Sequence, residues 1–122
     1  MTNSFISRLT DIIEAIDIIR DEMVDVTLHT FKENRRKQWL VERGIEIISE
    51  ASRHLPDELK TRHSDIPWAK VAGIGNVLRH DYENVAPDVL WYVVKNNLPH
   101  LEMVCRDEYE AEIEQEQHGS DL

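Results

Sequence analysis

Gly75-Asn76-Val77-Leu78-Arg79-His80-Asp81-Tyr82 gathers an amide, a guanidinium, an imidazole and a phenol within little more than two helical turns. Groups of these types can hold a phosphate and move a proton beside it. On a helix, residues four apart share a face, so Asn76 neighbours His80 and Gly75 neighbours Arg79. Cleaving RNA without a metal requires a base for the 2′-hydroxyl, an acid for the leaving oxygen and a cation beside the phosphate. Histidine suits the first two roles near neutral pH. Arginine suits the third, through paired hydrogen bonds. One histidine in this segment is thin for both proton transfers, and a symmetric dimer that joins two such segments would supply the second.

The elements that must position this segment read as helices. From Asn3 to Met23, apolar residues fall at Phe5, Leu9, Ile12, Ile16, Ile19 and Met23, the alternating steps of a helix packed lengthwise against others. Thr27 to Thr30 reads as a connection. A second helix is predicted from Phe31 to His54, with Leu40, Gly44, Ile47, Ile48 and Ala51 on one face. Gly44 in its middle costs about 1 kcal/mol relative to alanine, which implies that another helix approaches there. Leu55-Pro56-Asp57 ends this helix. After the polar stretch His63 to Ile66, Pro67 opens a third helix reaching Asp81, and Pro87 opens a fourth. Pro99 lies inside the fourth and should kink or split it. The sum is an all-α antiparallel bundle of four to five helices.

Composition agrees with one such domain. The chain has 122 residues, 41% of them apolar, with only 4 Gly and 4 Pro to punctuate them. No apolar run is long enough to span a membrane, and Met1 to Phe5 carries no secretory signature. The single cysteine, Cys105, suits a reducing compartment, so a cytoplasmic location is expected. Net charge is -10, which opposes indiscriminate nucleic-acid binding. Residues 106 to 122 hold seven acids against Arg106, a charge of -6, leaving -4 for the rest. The expected division is therefore a helical domain over 1–105 and an acidic tail over 106–122, the end of the last helix followed by disorder. Arg35, Arg36 and Lys37 are candidate RNA contacts, although a solvated helix face explains them more simply. Trp39, Trp68 and Trp91 read as core or interface anchors. Glu50 and His54 stand four apart without a third ligand, so neither metal nor cofactor is expected.

From Phe31 to Leu101 the chain resembles the HepT-like branch of the HEPN superfamily. The resemblance rests on Ile47-Ile48-Ser49-Glu50-Ala51, on Ile66-Pro67-Trp68-Ala69-Lys70-Val71-Ala72-Gly73 and on Asn76 with His80-Asp81-Tyr82. It continues through Val85 to Trp91 and Asn97 to Leu101. It implies a homodimeric ribonuclease toxin, silenced by a nucleotidyltransferase antitoxin that attaches AMP to the motif tyrosine. Carried over by position, His80 is the catalytic histidine, Asn76 its polar neighbour and Tyr82 the AMP acceptor. The family motif places an arginine where this chain has Gly75. One turn on, Arg79 could fold back toward Gly75 and serve as a relocated phosphate-binding cation. RNA, with tRNA as a candidate, is then the substrate. The alternative is a catalytically degenerate module that binds RNA or nucleotide and its nucleotidyltransferase without cutting. A third reading is a structural bundle that only docks that partner.

Overall fold

The apolar steps of the first segment become the inner face of α1 (Phe5–Glu22), where Leu9, Ile12, Ile16 and Ile19 are buried. The computed structural model describes residues 5–81 and 86–120, apart from the side chains of 81 and 118–120. Among them the order is α1, α2 (Leu28–Glu33), α3 (Arg35–Arg53), α4 (Asp57–Arg62), α5 (Trp68–Asp81), α6 (Pro87–Tyr92), a π-helical turn (Val93–Asn97) and α7 (Leu98–Ser120). No strand occurs among the described residues. α1, α3, α5 and α7 are the long helices of the bundle. α3 packs between α1 and α5, and α7 packs on α1.

Three short helices occupy stretches expected to be connections or parts of longer helices. Thr27 and Thr30 form a reciprocal capping box, which starts α2 where a plain connection is expected. Asn34 then closes α2 and caps α3 through its side chain, which accepts from the Lys37 amide at 3.0 Å. The predicted continuous helix from Phe31 is therefore two. Pro56 precedes α4, a helix of 6 residues, too short to show a period of its own.

The close approach implied by Gly44 occurs against α1. A Cβ there would stand 2.6 Å from Ile19 Cδ1, so the Ile19 side chain of α1 fills the space that Gly44 leaves on α3. Lys37 joins the far end of the same pair, its Nζ donating to the Glu22 carboxylate at 2.9 Å and the Glu22 carbonyl at 3.0 Å. At Pro99, the chain neither breaks nor splits. The missing proline N–H is accommodated by a wider turn just before it, in which the Leu98 N–H donates to the Val93 carbonyl five residues back.

α7 continues past residue 105 to Ser120 without interruption. Its acidic stretch is attached to the body. Glu108 accepts from Arg62 Nη2 at 2.7 Å and pairs with His63 Nε2 at 2.7 Å, while Arg106 donates to Asp17 at 2.7 Å. Cys105 is buried, and burial pushes its thiol up to about 12, so it stays protonated and unreactive at neutral pH.

The hydrogen bond from Arg62 holds the Glu108 carboxyl below its ordinary range, helped by His63 and opposed by partial burial. A carboxylate depressed in the folded state stabilises the fold above its unfolded pKa and loses that effect as pH falls through the folded value. Glu108→Gln should therefore lower unfolding free energy by about 1–3 kcal/mol at pH 7. Urea titrations should show that gap narrowing below about pH 4. A gap that stays constant with pH would mean that the ionised pair contributes nothing.

Candidate active site

α5 begins with Trp68, whose indole Nε1 donates to the carbonyls of Lys60 (3.2 Å) and His63 (3.0 Å). These bonds tie its first turn to the end of α4. Farther along, α5 is clasped to α3 through polar contacts. Ser49 Oγ donates to the Ala72 carbonyl at 2.7 Å and accepts the Gly75 N–H at 3.1 Å, and Arg53 Nη2 donates to the same carbonyl at 2.8 Å. Leu78 enters the core. With Gly75 and Leu78 facing inward, the rotation of α5 about its axis is fixed.

That rotation turns Asn76, Val77 and His80 outward. Asn76 and His80 are exposed and one turn apart on the same face, where adjacent side chains stand about 5–6 Å apart at Cβ. Arg79 is also exposed but lies on the side of α5 that faces α3. Gly75 is buried. A Cβ at that position would meet Ser49 Oγ at 2.5 Å and Ser49 Cβ at 2.7 Å. The space that a glycine leaves is thus filled chiefly by Ser49. The Arg79 guanidinium reaches its edge, with Nη1 3.8 Å from where that Cβ would stand.

Arg79 lines a shallow basin with Arg8, Arg43, Asp11, Glu46 and Glu50. The Glu50 carboxyl is held below its ordinary range, first by its bond with His54 and in smaller part by Arg53 and Arg79. So the pair read for metal spacing is a hydrogen-bonded pair, Glu50 Oε1 to His54 Nε2 at 3.2 Å. Among the described residues no cluster of three His, Cys, Asp or Glu could hold a metal ion.

The structure does not draw the other sequence candidates into this cluster. Arg35, Arg36 and Lys37 form the first turn of α3, which runs antiparallel to α5. Measured along the axes from the Ser49–Gly75 contact, Arg36 lies about 12 Å beyond His80. Lys37 is engaged by Glu22, and Arg35 lies over the Trp39 ring at 5.4 Å. Trp39 is 56% exposed, so it is no core anchor, whereas Trp91 packs on Phe31 with ring centroids 5.9 Å apart. Tyr82 lies outside the described residues. Sequence reading missed Ser49 and Arg53, which orient α5. The signal was there: Ser49 and Ser52, three apart, interrupt an otherwise apolar helix face and are both buried.

No helix among the described residues is long and apolar enough to cross a membrane. No solved structure matches the chain with significance. The protein named Probable ribonuclease HepT of Thermococcus cleftensis is 37% identical over 101 residues, which cover 83% of this chain and 92% of that relative. Putative RNase MJ1380 of Methanocaldococcus jannaschii is 30% identical over 93 residues, covering 76% of this chain and 85% of the relative. The family described as Ribonuclease HepT-like matches residues 12–107, and the chain belongs to that family, an all-α group of the HEPN superfamily.

Proposed function

We propose that this chain is a metal-independent endoribonuclease, the toxin of a toxin–antitoxin pair, acting as a homodimer. The observation that carries this reading is the outward face of α5, where Asn76 and His80 stand one turn apart beside an exposed Arg79 whose guanidinium turns back toward Gly75. Membership in a ribonuclease family supports it.

In this reading the His80 imidazole takes the proton of a 2′-hydroxyl. The freed oxygen attacks the adjacent phosphorus, the bond to the 5′-oxygen breaks, and that oxygen receives a proton. The products are a 2′,3′-cyclic phosphate and a 5′-hydroxyl. Arg79 meets the charge that builds on the phosphoryl oxygens, so no metal is required for that role. Asn76 orients the backbone or the imidazole. The second proton transfer falls to the His80 of a second copy, brought close by the dimer. A phosphate must compete with Glu50 for Arg79, which favours a strand that binds closely over a passing one. Tyr82, two residues beyond His80, is the AMP acceptor for a nucleotidyltransferase antitoxin, since an added phosphate there would repel RNA from the site.

The degenerate module has one observation in its favour: Gly75, buried against Ser49, leaves no room for the family's arginine. Assays of tRNA cleavage in EDTA decide between the two. Arg79→Ala should lower kcat by about 10²–10³, with partial recovery in Arg79→Lys. A wild-type protein that binds tRNA without cutting it, its Tyr82 shown by mass to be unmodified, would establish the binding module instead.

A further inference from the structure

A second feature adjoins the same helix. Between α3, α5 and the start of α7 lies a groove of about 370 Å³ with a floor of aliphatic side chains, among them Ile45, Ile48, Val71 and Ile74. Its lip carries Lys70 of α5 and Asn96 and Asn97 of the π-helical turn, together with a hydrogen-bonded Asp65–His100 pair. The turn that accommodates Pro99 is what brings the two asparagines to the lip. Widened turns of this kind recur at functional sites.

We propose that this groove is a nucleobase subsite, which takes one base of the RNA strand cut at His80; the inference rests on the ribonuclease reading above. A base has flat apolar faces and a polar edge. Aliphatic walls accept the faces, and amides on the lip read the edge. The Lys70 ammonium supplies a point charge for the attached phosphate. The Lys70 side chain is exposed, and among the described residues its ammonium makes no hydrogen bond or ion pair, so it is available for that contact. The one carboxylate on the lip, Asp65, is hydrogen-bonded to His100.

Position favours RNA over a protein side chain as the occupant. On α5 the groove is lined as far as Ile74, and one turn on stands Val77, which is 48% exposed and borders Asn76 and His80 along the helix. Lys70 precedes His80 by ten residues, about 15 Å along the helix, which a single strand covers in a few nucleotides. A strand that presents its scissile phosphate to His80 is thus long enough, within a few nucleotides, to reach the groove. A pocket of a few hundred Å³ is also of the size that small planar ligands fill.

The test uses the full chain as His80→Ala, methyl-labelled at Ile, Leu and Val, and titrated by NMR with AMP, GMP, CMP, UMP and ribose 5-phosphate. At least one nucleotide should shift the Val71 and Ile74 methyls saturably, and ribose 5-phosphate should not. Lys70→Ala and Asn97→Ala, both at exposed positions, should each weaken that nucleotide about tenfold. Silent methyls, or equal shifts with ribose 5-phosphate, overturn the subsite. So do methyls that respond to an added nucleotidyltransferase and to no nucleotide. Cleavage by wild type is scored separately. Nucleotide saturation without cleavage removes the ribonuclease and keeps the subsite, whereas cleavage with silent methyls removes the subsite alone.

Discussion

Replacing His80 with alanine should reduce RNA cleavage by about 10²–10⁴, the range expected when a positioned acid–base group is removed. The fold should hardly notice. His80 is exposed, and the inward contacts of α5 are made by Leu78, Gly75 and Trp68. Thermal melting of the variant should therefore match wild type while activity collapses, and a variant that melts earlier would make the lost cleavage uninformative. The dimer adds a sharper expectation. If each scissile phosphate is served by two copies of His80, an excess of His80→Ala subunits will suppress wild-type activity more than dilution predicts. Suppression no greater than dilution would place both proton transfers on one imidazole and remove the reason for pairing the sites.

How much of this arrangement was legible beforehand depends on the length of each signal. The seam of α1 spans five turns, and Leu9, Ile12, Ile16, Ile19 and Met23 are all buried as their spacing implies. In α3 the buried face is rotated from the one predicted. Val41 and Ile45 are buried while Leu40 and Ile47 are only partly so, because Ser49 and Ser52 occupy the inner face. Serine reads as polar, and a hydrophobic pattern assigns it outward; its bonds to the carbonyls of Ala72 and Ser49 supply what the pattern omits. α2 and α4 were hidden because six residues carry no periodicity of their own, whereas the start of α6 at Pro87 was expected. The candidate site was legible as residue types on one helix. What the sequence left hidden was which side of that helix faces α3, hence that Gly75 is buried and that Arg79 lies beside Glu50. The groove was equally hidden, since it depends on a backbone widening that Pro99 permits but does not name.

Gly75 offers the second large effect, and it falls on the fold before it reaches activity. In an exposed helix, Gly→Ala gains about 1 kcal/mol. Here the new Cβ would stand 2.7 Å from Ser49 Cβ, an atom fixed to the α3 backbone, so no rotamer change relieves it. The helices must separate, and the two hydrogen bonds of Ser49 to α5 stretch with them. Overpacking of this kind costs about 1–3 kcal/mol, which with the loss of those bonds outweighs the propensity gain. Gly75→Ala should therefore be destabilised in urea titrations, and Gly75→Arg more so. Ser49→Gly removes the obstructing atoms at its own cost, about 1 kcal/mol for a mid-helix glycine together with the loss of the same two hydrogen bonds to α5. The pair Ser49→Gly with Gly75→Ala should then be more stable than the two single effects predict, with a coupling of about 1–2 kcal/mol. Additive effects would show that α3 and α5 do not meet through these two residues. The same logic governs recovery of the family's arginine: Gly75→Arg alone should cleave no better than wild type, because it separates the helix that carries His80 from its support. With Ser49→Gly beside it, the Cβ of the new arginine no longer meets Ser49, and its chain can leave along the edge that the Arg79 guanidinium reaches. Cleavage should then exceed that of the Ser49→Gly single variant, and an Arg79→Ala change should cost less in that background than in wild type, since two cations would serve one phosphate.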